Sequence, residues 1–332
     1  MNTSQSACRV DAAARLHLGF LDPGAALGRR FGSIGLALEG LSTRVLAAPH
    51  DTLLVTGAGG ARAGALVERV LAHLGLPAGV HVDVEQAIPE HAGLGSGTQL
   101  ALAIGTALSV LRERPTPTAE LATVLGRGRR SGIGLSLFEH GGLVVDAGHG
   151  TATTTPPVVC RLAFPEDWPV ILIFDHACEG LSGGAERRAF DALAPLPAAA
   201  AAHLCHLTLM RILPAVIERD FAPFAAGIGE VQAVVGDHFA AVQSGRYTSA
   251  RVCRAVELLG AHLQLDGVGQ SSWGPTAFAF APDTATAARA LALLHENFAE
   301  EAGLEFRVCS ARNAGATRVP AALAMTRRRA SA

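Results

Sequence analysis

Residues 88–99 read Ile-Pro-Glu-His-Ala-Gly-Leu-Gly-Ser-Gly-Thr-Gln, and no other stretch constrains the fold as much. The residues before them, Val80 to Ile88, alternate apolar and polar, the pattern of a half-buried strand. Thr98 to Leu111, after them, is rich in Ala, Leu and Ile, the pattern of a buried helix. A glycine-rich loop therefore joins a strand to a helix start. Gly93, Gly95 and Gly97 allow backbone angles that a Cβ forbids, so several N–H groups can converge on one point. The helix N-terminus adds unpaired donors and the positive end of its dipole. Such a turn suits a di- or triphosphate. It also reads as an ordinary capping turn, with Ser96 or Thr98 as N-cap.

Bulk properties narrow the class. The chain has 332 residues, 49% of them hydrophobic, and a mean hydropathy of +0.32, enough for a large core. Alanine supplies much of that figure. The longest apolar run, Leu193 to Ile217, is broken by prolines, histidines and Arg211, which argues against a membrane span. The N-terminus shows no signal-peptide core, and the expected compartment is the cytoplasm. A formal net charge of -2 gives no electrostatic case for nucleic acid. All 27 basic residues are arginine, so no lysine is available for a Schiff base or a phosphate contact. The six cysteines are scattered and read as buried free thiols.

In chain order, Cys8 to Phe20 reads as a strand with Arg15, His17 and Gly19 on one face. An arginine and a histidine there could meet a carboxylate or phosphate, or lie on a solvated edge. Phe31 to Ala48 is further strand, with Gly32 and Gly35 leaving room for a ligand or backbone. Ala61 to Leu74 is an amphipathic helix stopped by Gly75. Thr118 is placed to cap the next helix. Arg127, Arg129 and Arg130 lie among glycines in the run 127–134, RGRRSGIG. Three arginines could bind a phosphate, or form a solvated basic surface.

Gly150 to Pro157 is a polar, proline-bounded linker and the expected boundary between domains 1–155 and 156–326, with 327–332 a tail. The run 170–174, VILIF, is a central strand. Neither 175–179 (DHACE) nor His203 and His206 has a spacing that recommends a metal site. Ser182 and a glycine pair open the next helix, where Arg187 and Arg188 are a second candidate phosphate contact. The run 266–280, DGVGQSSWGPTAFAF, holds Gln270, Ser271, Ser272 and Trp273. Their polar groups could reach phosphate or hydroxyls, and the indole could flank an aromatic ring or fill core.

Pro89-x-x-x-Gly93-Leu94-Gly95-Ser96-Gly97 resembles the phosphate loop of the GHMP kinase superfamily, which usually ends in Ser-Ser. The wording around 88–105, 127–134 and 269–276 is similar to one divergent family, the β-ribofuranosylaminobenzene 5'-phosphate synthases of methanopterin biosynthesis. Arg312-Asn313-Ala314-Gly315 resembles the superfamily's closing motif.

The resemblance implies an α+β, two-domain fold: an N-terminal mixed β-α domain and a C-terminal ferredoxin-like α/β sandwich. It also implies that the 269–276 loop lies against the first glycine loop. In the kinases, the words matching Ser131-Gly132-Ile133 are followed by a catalytic Asp. Gly134 stands there in this chain, so in that register the phosphoryl-transfer base is missing unless Glu139, nearby in sequence, substitutes for it.

The activity implied is condensation of phosphoribosyl pyrophosphate with 4-aminobenzoate or 4-hydroxybenzoate, releasing CO2 and pyrophosphate. Mg2+, no organic cofactor and a homodimer are expected with it. On that reading Gly93, Leu94, Gly95, Ser96, Gly97 and Thr98 hold pyrophosphate, and Arg127, Arg129 and Arg130 hold the sugar phosphate. Arg15 or His17 meets the benzoate carboxylate, and Gln270 to Trp273 line the substrate. A GHMP-type small-molecule kinase and a non-catalytic regulator on a kinase scaffold are the rival readings.

Overall fold

The structure, a computed structural model, describes residues 7–181, 183–243 and 245–321. It opens on two long antiparallel strands, β1 (Ala7–Asp22) and β2 (Phe31–Pro49). Arg15 pairs with Ala37 and His17 with Gly35, and the register slips between His17 and Gly19. The slip is a β-bulge, which bends a strand and re-aims its side chains. β3 (Leu54–Gly57), α1 (Gly60–Leu74) and β4 (Val80–Gln86) form a parallel crossover unit. β4 then runs antiparallel to β2. Its chain continues through the glycine loop into α2 (Ser96–Leu111), whose middle turns are buried on every side.

After α3 (Thr118–Val124) and α4 (Ile133–His140), β5 (Leu143–Asp146) returns to β2. The expected linker lies between β5 and β6 (Val158–Leu162), and those two strands pair with each other. The caps differ from expectation. α3 begins after Pro117 with Thr118 already inside it, and α2 is capped by Gly95, not by Ser96 or Thr98.

The second half is built on β7 (Val170–Asp175). A helical block follows: α5 (Gly183–Ala192), α6 (Ala198–Leu207), a π-helical turn at Thr208–Ile212, α7 (Leu213–Glu218) and α8 (Phe221–Phe239). Then come α9 (Ala250–Leu263), β8 (Val268–Gln270), β9 (Ala277–Phe280), α10 (Thr284–Asn297), β10 (Leu304–Ala311) and β11 (Thr317–Ala321).

The strand order β10-β7-β9-β8 is antiparallel throughout. With α9 and α10 as its connections it is the βαββαβ arrangement of a ferredoxin-like sandwich. Ile171 and Ile173 face α9 and α10, while Val170, Leu172 and Phe174 face the larger central core. A strand buried on both faces explains the unbroken apolar run. β10 also pairs with β2 through Ser310 and Ala311, which joins both halves in one sheet.

Ala198–Glu218 forms one continuous helical run of 21 residues with mean hydropathy 1.5, long and apolar enough to cross a membrane. Its Leu204, Leu207, Ile212 and Val216 nonetheless pack into the central core with β1 and α8. Pro195 and Pro197 precede this run, and Pro214 inside it follows closely on the π-helical turn Thr208–Ile212, a local widening of the kind that accommodates a proline within a helix.

Candidate active site

The glycine loop is held from two sides. The Arg15 N–H of β1 donates to the Leu94 carbonyl at 3.0 Å. From the other half of the chain, the Ser271 hydroxyl donates to the Gly93 carbonyl at 2.9 Å and accepts the His17 N–H at 3.0 Å. A Cβ on Gly93 would overlap the Ser271 carbonyl, so only glycine lets the two loops touch backbone to backbone. Gly180 and Leu181 close over both, donating to the carbonyls of His91 and Trp273. The second glycine stretch therefore lies against the first, as the resemblance implied. Ser271 is fully buried as a clasp between them. Gln270 is likewise engaged, accepting the Thr248 N–H and donating to the Ser272 carbonyl.

Gly93 and Gly95 have positive φ, at 78° and 74°. Gly97 has no such angle and serves space instead. A Cβ there would overlap a guanidinium nitrogen of Arg62 and lie 3.3 Å from Nη1 of Arg127. Two guanidinium groups thus crowd over the first turn of α2, at the positive end of its dipole. Arg62 also pairs with Glu90 at 2.9 Å. Burial, and then repulsion from Arg62 and Arg69, lowers the Arg127 pKa. Its Nε is buried without a partner. Like charges gathered at a helix N-terminus are an arrangement that an anion relieves. Sequence reasoning missed Arg62, because an arginine on the polar face of an amphipathic helix carries no signal of what lies opposite.

The three arginines of 127–130 do not converge. Arg127 faces Gly97, and Arg129 is exposed. Arg130 pairs with Glu186 and lies over the Phe190 ring, 4.8 Å from its centroid. Asp146 holds this loop. Fully buried, its carboxylate accepts from the Ser131 hydroxyl and from the N–H groups of Gly132 and Gly148. Burial raises its pKa, and those donors oppose the rise. A Cβ on Gly134 would stand 3.2 Å from Cγ2 of Thr98. A side chain at 134 would therefore stand beside the first turn of α2. The space beside Gly35 is filled by Ile133 of α4, and that beside Gly32 by Leu21 and the Asp146 carbonyl.

Arg15 and His17 share one face of β1. Arg15 packs along Gly95, and burial lowers its pKa to about 10, with Glu186 raising it, Arg130 lowering it and Asp146 raising it. His17 is only 2% exposed. Burial, then the charges of Arg15 and Arg130, hold its pKa well below the usual value, so the ring is neutral. Its Nδ1 accepts the Gly19 N–H at 3.2 Å, which puts the ring hydrogen on Nε2, a buried donor with no partner. A buried orphan of that kind costs about 1–3 kcal/mol.

His17 lines a narrow cleft of about 20 Å3, room for one water, with Phe20, Gln232, Val235, Phe239 and Gln270. Trp273 is not in its wall. The indole is 1% exposed and stacks behind Phe239, with ring centroids 4.2 Å apart. Ser272 reaches the cleft lining; Ser271 does not.

Other candidates are structural. Asp175 binds Arg251 and Ser249, and His176 binds Glu305. His203 binds Glu230. Arg312 binds Asp11, and Asn313 ties to Phe164. Arg188 is exposed, and Ser182, the Arg187 side chain and the 327–332 tail lie outside the described residues.

Residues 61–142 match the family model for the GHMP kinases N terminal domain. The chain is similar to a β-ribofuranosylphenol 5'-phosphate synthase of Archaeoglobus fulgidus, at 33% identity over 92% of this chain and 98% of that one. One of that name from Methanothermobacter thermautotrophicus is 31% identical over 81% and 87%. Among solved structures, mevalonate kinase of Methanococcus jannaschii superposes with a TM-score of 0.68 over 92% of this chain and 98% of that one, at 11% identity. Homoserine kinase of Cytophaga hutchinsonii does so at 0.63 over 96% and 99%, at 15% identity.

Proposed function

The chain belongs to the GHMP kinase superfamily and, within it, to the β-ribofuranosylphenol 5'-phosphate synthases, and from that premise we propose how its residues run the reaction. Phosphoribosyl pyrophosphate condenses with a para-substituted benzoate. A bond forms between the sugar's anomeric carbon and the ring carbon bearing the carboxylate. Pyrophosphate leaves with the electron pair of the broken C–O bond, and CO2 leaves with its own bonding pair returned to the ring. The relatives are named for a ribofuranosylphenol product, which makes 4-hydroxybenzoate the acceptor we favour over 4-aminobenzoate.

The observation that carries this reading is the pair of guanidinium groups, Arg62 and Arg127, gathered over Gly97 at the start of α2, near Gly134, where the resemblance puts a kinase's base. Charge builds on the departing pyrophosphate, so preorganised donors aimed at it are the main catalytic need. Gly93 to Thr98, the first turn of α2, Arg62 and Arg127 supply them. Arg130, on the far side of the loop and balanced by Glu186, takes the 5'-phosphate. Arg15, between the two, faces the sugar.

The acids around the loop do not fit a Mg2+ cage. Asp146 is saturated by donors, Glu90 is paired with Arg62 and Glu186 with Arg130. Among the described residues no three potential metal ligands cluster. We extend the reading to a cytoplasmic homodimer, as the resemblance implies.

The test is incubation of the protein with phosphoribosyl pyrophosphate and carboxyl-labelled 4-hydroxybenzoate or 4-aminobenzoate. Labelled CO2 is expected, faster with the hydroxy acid. No release with either acid would refute the reading.

A further inference from the structure

We propose that the solvent face of the Ala198–Glu218 helical run is where two copies of this chain meet, packed antiparallel about a twofold axis near Thr208. This rests on the homodimer reading above, to which it gives a face, and not on the reaction.

The run has two faces. Leu204, Leu207, Ile212 and Val216 enter the core. The opposite face follows the helical repeat through Ala199, Ala202, His206, Leu209, Leu213 and Ile217. Leu209, Met210 and Ile217 are 64%, 64% and 66% exposed, and among the described residues no other element exposes three large apolar side chains. On the flank, His203 and Arg211 both bind Glu230. A contiguous apolar face of this kind, rimmed by polar groups, marks an interaction surface.

Three features select a second copy as its occupant. First, the face is graded in size, small at Ala199 and Ala202 and large from Leu209 to Ile217. In an antiparallel pair each half meets the opposite half of the other copy. Ile217 then lies over the partner's Ala199 and Leu213 over the partner's Ala202, with His206, Leu209 and Met210 around the axis. Large side chains set against small ones let two helices interdigitate.

Second, the two ends complement each other in charge. The run begins after Pro197 with no side-chain cap and no acidic residue in its first turn. At the other end Glu218 is exposed and makes no ion pair among the described residues. Antiparallel pairing brings Glu218 of each copy to the bare helix N-terminus of the other, the positive end of its dipole.

Third, the surface continues past the helix. Beside Ile217 lies a groove lined by Leu162, Phe164, Pro165 and Val216. Pro195 and Pro197, exposed just before the run, fall at that groove on the other copy. A bilayer suits the face less well. Helices that lie on membranes carry a basic face, whereas the one arginine within this run, Arg211, is held by Glu230.

Light scattering on the unmodified protein should give twice the 34.1 kDa chain mass. Leu209→Arg brings two guanidinium groups together near the axis and should weaken self-association about a hundredfold or more. Leu209 faces solvent in a single copy, so the far-UV circular dichroism of the variant should be unchanged. The antiparallel register has its own test. Ala199 and Ile217 lie about 27 Å apart along one helix, so a variant carrying both Ala199→Cys and Ile217→Cys can join these two positions only between copies. Mild oxidation should give a covalent dimer, with the unmodified protein, whose Cys205 is exposed on the same run, as the control. A monomeric unmodified protein, a Leu209→Arg variant that stays dimeric, or no covalent dimer beyond the control would each overturn the proposal. So would an unmodified protein that is monomeric and co-sediments with phosphatidylglycerol vesicles. CO2 release is read separately, so the proposal can fail on any of these counts while the pentosyltransferase reading stands.

Discussion

Arg62 occupies the space that a side chain at Gly97 would need, across the first turn of α2. The superfamily loop usually has serine there. The Gly97→Ser variant should fold normally, because the atom in its way is the free end of a flexible side chain. It should displace the guanidinium and raise the KM for phosphoribosyl pyrophosphate about tenfold, about 1.4 kcal/mol. Arg62→Ala should do the same. The double variant should be little worse than either single one, since both remove one interaction. Steady-state kinetics on the three proteins checks this.

Much of the fold was legible because its signals are local. Alternation marked β4, glycines marked the turn and an apolar run marked α2, so strand, loop and helix were readable as a unit. The unbroken run 170–174 likewise betrayed a strand covered on both faces. What escaped were relations across the chain. Nothing in the sequence places Arg62 over Gly97 or separates Arg127 from Arg130. Trp273 inside a glycine stretch read equally as a ring-flanking residue or as core. Only the register of α8, which brings Phe239 across it, decides for core. Ser271 read as a substrate contact because a hydroxyl in such a loop is equally suited to clasping two backbones.

Gly134 offers a test of the lost kinase chemistry. Gly134→Asp would set a carboxylate beside Thr98, next to the diphosphate. Repulsion between the two anions should lower CO2 release at least tenfold. The absent acid is only one of several groups a phosphoryl transfer needs, so no ADP should appear with ATP and an alcohol. Measuring both products in one preparation separates the two outcomes.

The neutrality of His17 has a pH signature. Its folded pKa lies well below its ordinary 6.5. As pH falls below that value the unfolded chain takes up a proton that the folded protein refuses, and stability declines. His17→Asn removes this drain. The difference in Tm between the variant and the unmodified protein, followed from pH 7.5 to 4.5, should therefore shift in the variant's favour on the acid side.

Asp175 carries the opposite sign. Burial would raise its pKa, but Arg251 and Ser249 hold the carboxyl below its ordinary 3.8. Its contribution is full above that value and lost as pH falls through the folded pKa. Arg251→Ala should lower Tm at pH 7, and the deficit should shrink below about pH 4 as the carboxyl protonates. Thermal melts at the two pH values decide it.

A crystal structure with phosphoribosyl pyrophosphate bound is the most direct test of the whole account. Its diphosphate should lie against the N–H groups of Gly93 to Thr98, within hydrogen-bond reach of Arg62 and Arg127, with the anomeric carbon turned toward Arg15 and His17. A diphosphate seated away from the first turn of α2 would contradict it.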